Sequence, residues 1–253
     1  MEGEQITNHG LQIPMMTIFD NTDKIDNTDK TVAAAAGVTL VCFLINTKVA
    51  SVVIVYLNVL VVFGLLGYSI WRFDSLRTLR RSLITGAIAG VAYLPMDMLL
   101  SNSKLMGIIT YLRHEDYLLL GVTPLSIVLS WMYLIAIALY LYQRLRSLFQ
   151  RVYIPMLLTC IAVFCGSIIL GVLGNDNLWL WGAKINFPPP PPYINTMPLF
   201  VPIALALAFL FSPYFIPKTP SMRYSEIAGG IRCGIVLGII QFLCFLLFRV
   251  FST

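Results

Sequence analysis

Apolar residues fall in long blocks along nearly the whole chain after residue 30, broken by short polar or basic stretches. A membrane-crossing helix needs roughly 20 mostly apolar residues. Seven blocks meet or approach that length, at about 31–46, 48–71, 82–101, 121–143, 152–173, 194–213 and 226–250. The pattern predicts an all-α polytopic transmembrane helical bundle of about seven spans. The first block is the weakest, being short and opening with Ala33 to Ala36, so six spans is the alternative. Residues 1–30 are polar and acidic and are expected to be a disordered tail; residues 31–253 form one transmembrane domain. The tail lacks a basic start followed by an apolar run, so the first block is expected to act as the insertion signal. It carries Asn-Thr-Asp-Lys twice, at 21–24 and 27–30. A local duplication in a disordered segment accounts for this, with a docking peptide as the alternative.

Between the third and fourth spans, Lys104 to Leu112 is short and mixed, suited to lying along the interface. Pro188 to Pro192 are consecutive and predict a stiff polyproline II stub, since each lacks an N–H donor and has its φ fixed. Pro213, Pro217 and Pro220 suit a short loop before the last span.

Composition agrees with this frame. The chain of 253 residues is 58% hydrophobic and 11% charged, with mean hydropathy +0.82. A soluble domain carries about 25% charge. The net charge of +5 is a topology signal rather than a nucleic-acid footprint, because the basic residues sit in short loops. One side of the predicted topology holds twelve of the 17 Lys and Arg: Lys24, Lys30, Arg72, Arg77, Arg80, Arg81, Arg144, Arg146, Arg151, Lys218, Arg223 and Arg232. The other holds five: Lys48, Lys104, Arg113, Lys184 and Arg249. The positive-inside rule places the first group, and the N-terminus, in the cytoplasm. Thr253 and the long loops 102–120 and 174–193 are then outside. Which membrane is crossed is not encoded in this pattern.

The five cysteines, Cys42, Cys160, Cys165, Cys233 and Cys244, all lie in apolar blocks without a CxxC pair or a neighbouring histidine. They read as small buried hydrophobes, not as a metal site or disulfide framework. Gly86 and Gly90 form GxxxG in the third span; Gly230, Gly234 and Gly238 extend that pattern in the last. Such faces let backbones approach closely, within the chain or in a homodimer. Arg232 lies between two of these glycines and is expected to snorkel. Asn58 and Gln241 are candidate interhelical hydrogen bonders.

Three constellations bear on chemistry. Asp97, in Tyr93-Leu94-Pro95-Met96-Asp97, is the one carboxylate well inside an apolar block. Burying it ionised costs several kcal/mol, so such a group pairs, protonates or lines a polar cavity. It reads either as a general acid or proton-relay group, or as an interfacial group that caps a helix end or pairs with Lys104 or Arg113. Arg113-His114-Glu115-Asp116 reads as a solvated loop capping the fourth span, with His114 as a candidate proton relay. One histidine and two acids make no metal site without further ligands. Trp179-Leu180-Trp181, beside Asn175 to Asn177, reads as an interfacial aromatic belt or as a lid over a lipid pocket. No nucleophile elbow, zinc-helix motif or phosphate loop occurs, and no cofactor is implied. Seven spans in about 250 residues is also the size of retinal proteins. Those require a lysine inside the last span, which here has none.

Thr123-Pro124-Leu125 opens the fourth span, followed by Trp131, and Met197-Pro198-Leu199 opens the sixth. Both spans run inward after a long outer loop, which suggests internal duplication. A proline near a helix N-terminus is also favourable in itself.

On Trp179-Leu180-Trp181, Tyr193, Met197-Pro198-Leu199-Phe200-Val201-Pro202 and Thr123 to Trp131, about a third of the chain, the sequence resembles small membrane proteins of carotenoid biosynthesis, of the hydratase and lycopene-cyclase type. The resemblance implies a helical bundle acting on a long apolar polyene. Cyclase domains of that type carry acids just after such a proline. Here Pro124 precedes Leu125-Ser126 and Pro198 precedes Leu199-Phe200, leaving Asp97 as the stand-in. The expected function is binding of, or acid-assisted addition or isomerisation on, an isoprenoid-like lipid near the outer side. Asp97 would donate the proton, His114 would relay it, and Trp131, Trp179, Trp181, Pro124 and Pro198 would wall the pocket. The alternative is a non-enzymatic membrane subunit or assembly factor with a membrane-protein partner; a small-solute transporter is third. The expected partners are membrane lipids and an apolar polyene, and not nucleic acid.

Overall fold

The computed structural model describes residues 26–73, 77–102, 105–112, 116–181, 192–216 and 225–251. Long helices dominate: α1 (Asn27–Val49), α2 (Val52–Arg72), α3 (Thr78–Ser101), α4 (Leu125–Leu148) and α5 (Tyr153–Gly174), then α6 (Phe200–Ala208), continued through a 3-10 turn (Phe209–Phe211) into α7 (Ser212–Phe215), and finally α8 (Ser225–Val250). Six of these, among the described residues, are long and apolar enough to cross a membrane; Phe200–Phe215 is a shorter apolar rod. The outermost side chains agree with a lipid surroundings: Leu60 is 70% exposed and Val53 60% on α2, which only a hydrocarbon environment makes inexpensive.

The first span, expected to be the weakest, is a complete helix. Asp26 caps it, and the Asp29 carboxylate accepts a bond from the Asp26 N–H, forming a reciprocal capping box. The second Asn-Thr-Asp-Lys copy, 27–30, is therefore the first helical turn and not disordered tail; the first copy lies outside the described residues. At the other end Ala50 turns left-handed at φ 50°, and the Asn46 side chain accepts from the Ser51 N–H at 2.9 Å. Ser51 then caps α2. A two-residue turn thus joins α1 and α2. The short span is instead the sixth. At about 1.5 Å rise per residue Phe200–Phe215 falls short of a ~30 Å hydrocarbon core.

The outer loops are not wholly irregular. They hold three antiparallel pairs: β1 (Ile109–Tyr111) with β4 (Trp179–Trp181), β2 (Leu118–Leu119) with β3 (Thr123–Pro124), and β5 (Tyr193–Ile194) with β6 (Met197–Pro198). Backbone below the surface of a membrane protein must be hydrogen-bonded, and pairing between loops achieves this where helix is interrupted. Ile109 and Tyr111 are accordingly buried. The segment expected along the interface, Lys104 to Leu112, is therefore partly a buried strand. Of the five-proline run only Pro192 is described, and its carbonyl accepts from the Leu199 N–H at 2.9 Å.

α3 sits between α4 and α8, and glycines set both contacts. A Cβ added at Gly86 would lie 2.6 Å from the Ala136 nitrogen, and one at Gly90 2.8 Å from the Met132 side chain, both on α4. On the opposite face, Cβ atoms at Gly230 and Gly234 would each lie 2.7 Å from a backbone carbonyl of α3, those of Thr85 and Ala89. Gly238 faces Met96. Both glycine faces are thus consumed within the chain. Asn58 on α2 donates to the Tyr133 hydroxyl at 2.8 Å, and Gln241 on α8 accepts from Tyr93. At the helix ends remote from the outer loops Arg144 pairs with Asp29 at 2.9 Å and Arg81 with Glu226 at 3.5 Å. Arg232 is exposed, as snorkelling requires. Cys160, Cys233 and Cys244 are buried, but Cys42 is half-buried and Cys165 is exposed on the lipid-facing side of α5, so burial does not describe all five.

Gly234→Leu is expected to destabilise the bundle by about 1–3 kcal/mol, the usual range for overpacking, read as a lowered unfolding midpoint in detergent. Gly64→Leu, where an added Cβ meets nothing within 4 Å, is expected to leave that midpoint in place. Equal midpoints would contradict the close α3–α8 contact.

Candidate functional site

Asp97 lies on α3 one turn before the helix ends, 4% exposed. Its two oxygens have separate partners. Tyr111 on β1 donates to Oδ1 at 2.7 Å, and Thr123 on β3 donates to Oδ2 at 2.7 Å. Among the described residues its partners are hydroxyls and not a cation; Lys104 and Arg113 lie outside them. Three outer elements therefore converge on one carboxyl. Burial, with the Asp97 charge adding to it, holds the Tyr111 phenol well above its usual range, so it remains a donor.

Beside this carboxyl is a cavity of about 390 Å³, within the range of small-molecule sites. Asp97, Tyr93, Tyr111 and Gln241 line it, and the rest of the wall is almost wholly apolar. No Lys, Arg or His is among the described residues that line it. Lining positions on α4 run from Ile127 to Leu141, a rise of about 21 Å at ~1.5 Å per residue, so the space is elongated. It is also aromatic. Trp131 stacks obliquely at 5.3 Å from Tyr93, and Trp179 and Trp181 meet edge to face at 6.5 Å. The β1–β4 ladder fixes the last two, with Tyr111 opposite Trp179 and Ile109 opposite Trp181. The tryptophans thus form cavity wall and not a surface belt.

The other sequence candidates separate. Pro124 and Pro198 are buried at the ends of β3 and β6, flanking the cavity without lining it; they start α4 and the α6 rod. His114 lies outside the described residues, with Arg113 and Glu115. Asp116 is buried and not solvated. It accepts from the Tyr56 and Ser126 hydroxyls and from the Ser126 N–H at 3.4 Å, which caps α4 as its position implied. Among the described residues no three His, Cys, Asp or Glu groups converge as a metal site would need. Tyr111 and Gln241 were not legible as site residues. The one available signal was that a buried carboxylate requires donors, without any indication of which loop supplies them.

The two proline-opened helices belong to similar units: α3–β1–β2–β3–α4 and α5–β4–β5–β6–α6. Asp97 and Thr123 are 26 residues apart. The residue at the same distance before Met197 is Gly171, and it touches the Met197 sulfur. Trp131 and Leu205, Ile135 and Phe209, and Tyr93 and Ser167 correspond likewise, and all six line the cavity. One unit supplies a carboxyl–hydroxyl pair where the other supplies glycine against thioether.

Tyr111→Phe or Thr123→Val leaves a buried carboxyl oxygen without its donor, which costs about 1–3 kcal/mol. Each is expected to lower the unfolding midpoint in wild-type protein and to have much less effect once Asp97 is Leu. A double-mutant cycle without such coupling would count against the hydroxyl pair. Compared with family models, curated proteins and solved structures, the chain matches none.

Proposed function

We propose that this multi-pass membrane protein binds a neutral, isoprenoid-like apolar lipid in the cavity, with one unsaturated end beside Asp97. The observation that carries the reading is an elongated apolar space ending in a single buried carboxyl. A lining without Lys or Arg offers nothing to neutralise a phosphate or carboxylate head. A hydrocarbon chain pays no such penalty. The π faces of Trp131, Trp179 and Trp181 suit a polyene and stabilise positive charge developing along it. Acid-assisted addition or isomerisation at a double bond follows from this arrangement. A proton on Asp97 passes to one alkene carbon and the cation forms at the other; the Asp97 carboxylate then takes a proton back, either from a carbon next to the cation or from a water that has added to it, and the product leaves neutral. Tyr111 and Thr123 hold the carboxyl in place through both oxygens.

A second reading, binding without catalysis, is favoured by one observation: neither Pro124, followed by Leu125-Ser126, nor Pro198, followed by Leu199-Phe200, precedes the acid that the resemblance leads one to expect.

Mild-detergent extraction followed by mass spectrometry and absorbance is expected to find a neutral isoprenoid or polyene near one per chain. Asp97→Asn is expected to retain that lipid while product formation falls at least a hundredfold. Unchanged conversion would eliminate the acid role and leave binding alone. Bulk phospholipid only, with other proteins co-purifying, would transfer the function to a subunit of a larger complex.

A further inference from the structure

The cavity wall is uneven around its circumference. Lining residues on α3, α4, α6 and α8 are buried or half-buried. Those that are exposed are Ala36 and Leu40 on α1 and Ala162 and Ile169 on α5, with Leu40 39% and Ile169 47% accessible. The cavity therefore reaches the outside surface along one seam, between α1 and α5. Gly166 lines it on α5, and an added Cβ there meets nothing within 4 Å. The seam is bracketed. Toward the outer side Phe43 packs on Trp179 at 6.2 Å. Toward the cytoplasm Asp29 ties α1 to α4, pairing with Arg144 at 2.9 Å and accepting from Tyr140 at 2.8 Å. Asp29 and Phe43 are about 21 Å apart along α1 by helix rise, so the gap between them lies at mid-membrane depth.

We propose that the seam between α1 and α5 is a lateral portal through which the ligand passes directly from the bilayer interior, with Ala36 and Gly166 setting its width. The proposal rests on the reading of the cavity as a lipid site. The exposed side chains at the seam, Ala36, Leu40, Ala162 and Ile169, are small or aliphatic, and the two lining hydroxyls on these helices, Thr39 and Ser167, donate to backbone carbonyls of their own helix, so little is left to accompany a head group. A slender neutral hydrocarbon passes there; a phospholipid or a prenyl diphosphate leaves its head at the membrane surface. Selection of the ligand thus occurs at the portal as well as beside Asp97.

The test uses the full chain in phosphatidylcholine vesicles and diphenylhexatriene, a neutral rod-shaped polyene dissolved in the bilayer. Uptake is read as probe per protein after detergent re-extraction and gel filtration, over time. Gly166→Phe and Ala36→Phe are expected to slow uptake at least tenfold. Neither residue packs in the core, so both variants should fold. Ile161→Phe, at an α5 position 51% exposed and outside the lining, is expected to match wild type. Uptake by wild type together with unchanged rates in both portal variants would overturn the portal and leave the lipid site standing. No retained probe in wild type would remove the lipid site, and the portal with it.

Discussion

The backbone of α3 lies against α4 on one side and α8 on the other, at distances that only glycine permits. Gly86 and Gly90 belong to α3 itself, while Gly230 and Gly234 belong to α8 and admit the Thr85 and Ala89 carbonyls of α3. In a bilayer, helix association gains little from apolar burial, because lipid tails are as apolar as leucine. Close backbone packing supplies the dispersion contact instead. This makes α3 the least displaceable element, and α3 carries Tyr93 and Asp97. The site therefore inherits its precision from contacts that lie within about one turn of Tyr93 and about two turns of Asp97.

Polar satisfaction is the second constraint, and it acts most strongly where helix ends below the surface. Asp97, Asp116, Asn58 and Gln241 are each buried, and each is hydrogen-bonded to a hydroxyl from another element. Each of the four has a tyrosine hydroxyl among its partners, Tyr111, Tyr56, Tyr133 and Tyr93 in that order, and tyrosine brings a polar tip on an apolar body. The outer loops obey the same rule through backbone pairing. Because β1 and β4 come from different loops, their pairing also joins the two similar units across the loop end of the cavity. A single ladder thereby positions Tyr111 at the carboxyl and Trp179 in the aromatic wall.

The two units show how one architecture can be given asymmetric chemistry. The corresponding positions at Asp97 and Gly171, and at Thr123 and Met197, are occupied by a hydrogen-bonded pair in one unit and an apolar contact in the other. A single buried carboxyl needs one set of donors. A second in the same space would add like-charge repulsion to the desolvation cost.

Sequence alone determined the class of molecule, because hydrophobic blocks of span length have few other solutions. It also identified Asp97, since an ionisable group in an apolar block is costly enough to stand out, and the glycine faces, whose spacing follows helix periodicity. It misjudged α1 and the sixth span. Capping by Asp26 at one end and by the left-handed Ala50 at the other completes a block of modest length, whereas the β5–β6 hairpin shortens one that read as continuous. Tertiary structure alone decided that Tyr111 and Thr123 reach the same carboxyl, that Trp179 and Trp181 face inward, and that the cavity reaches the surface between α1 and α5. Those relations join residues far apart in the chain. Composition and periodicity report the neighbours of a residue along one helix or strand, and carry no information on which loop pairs with which.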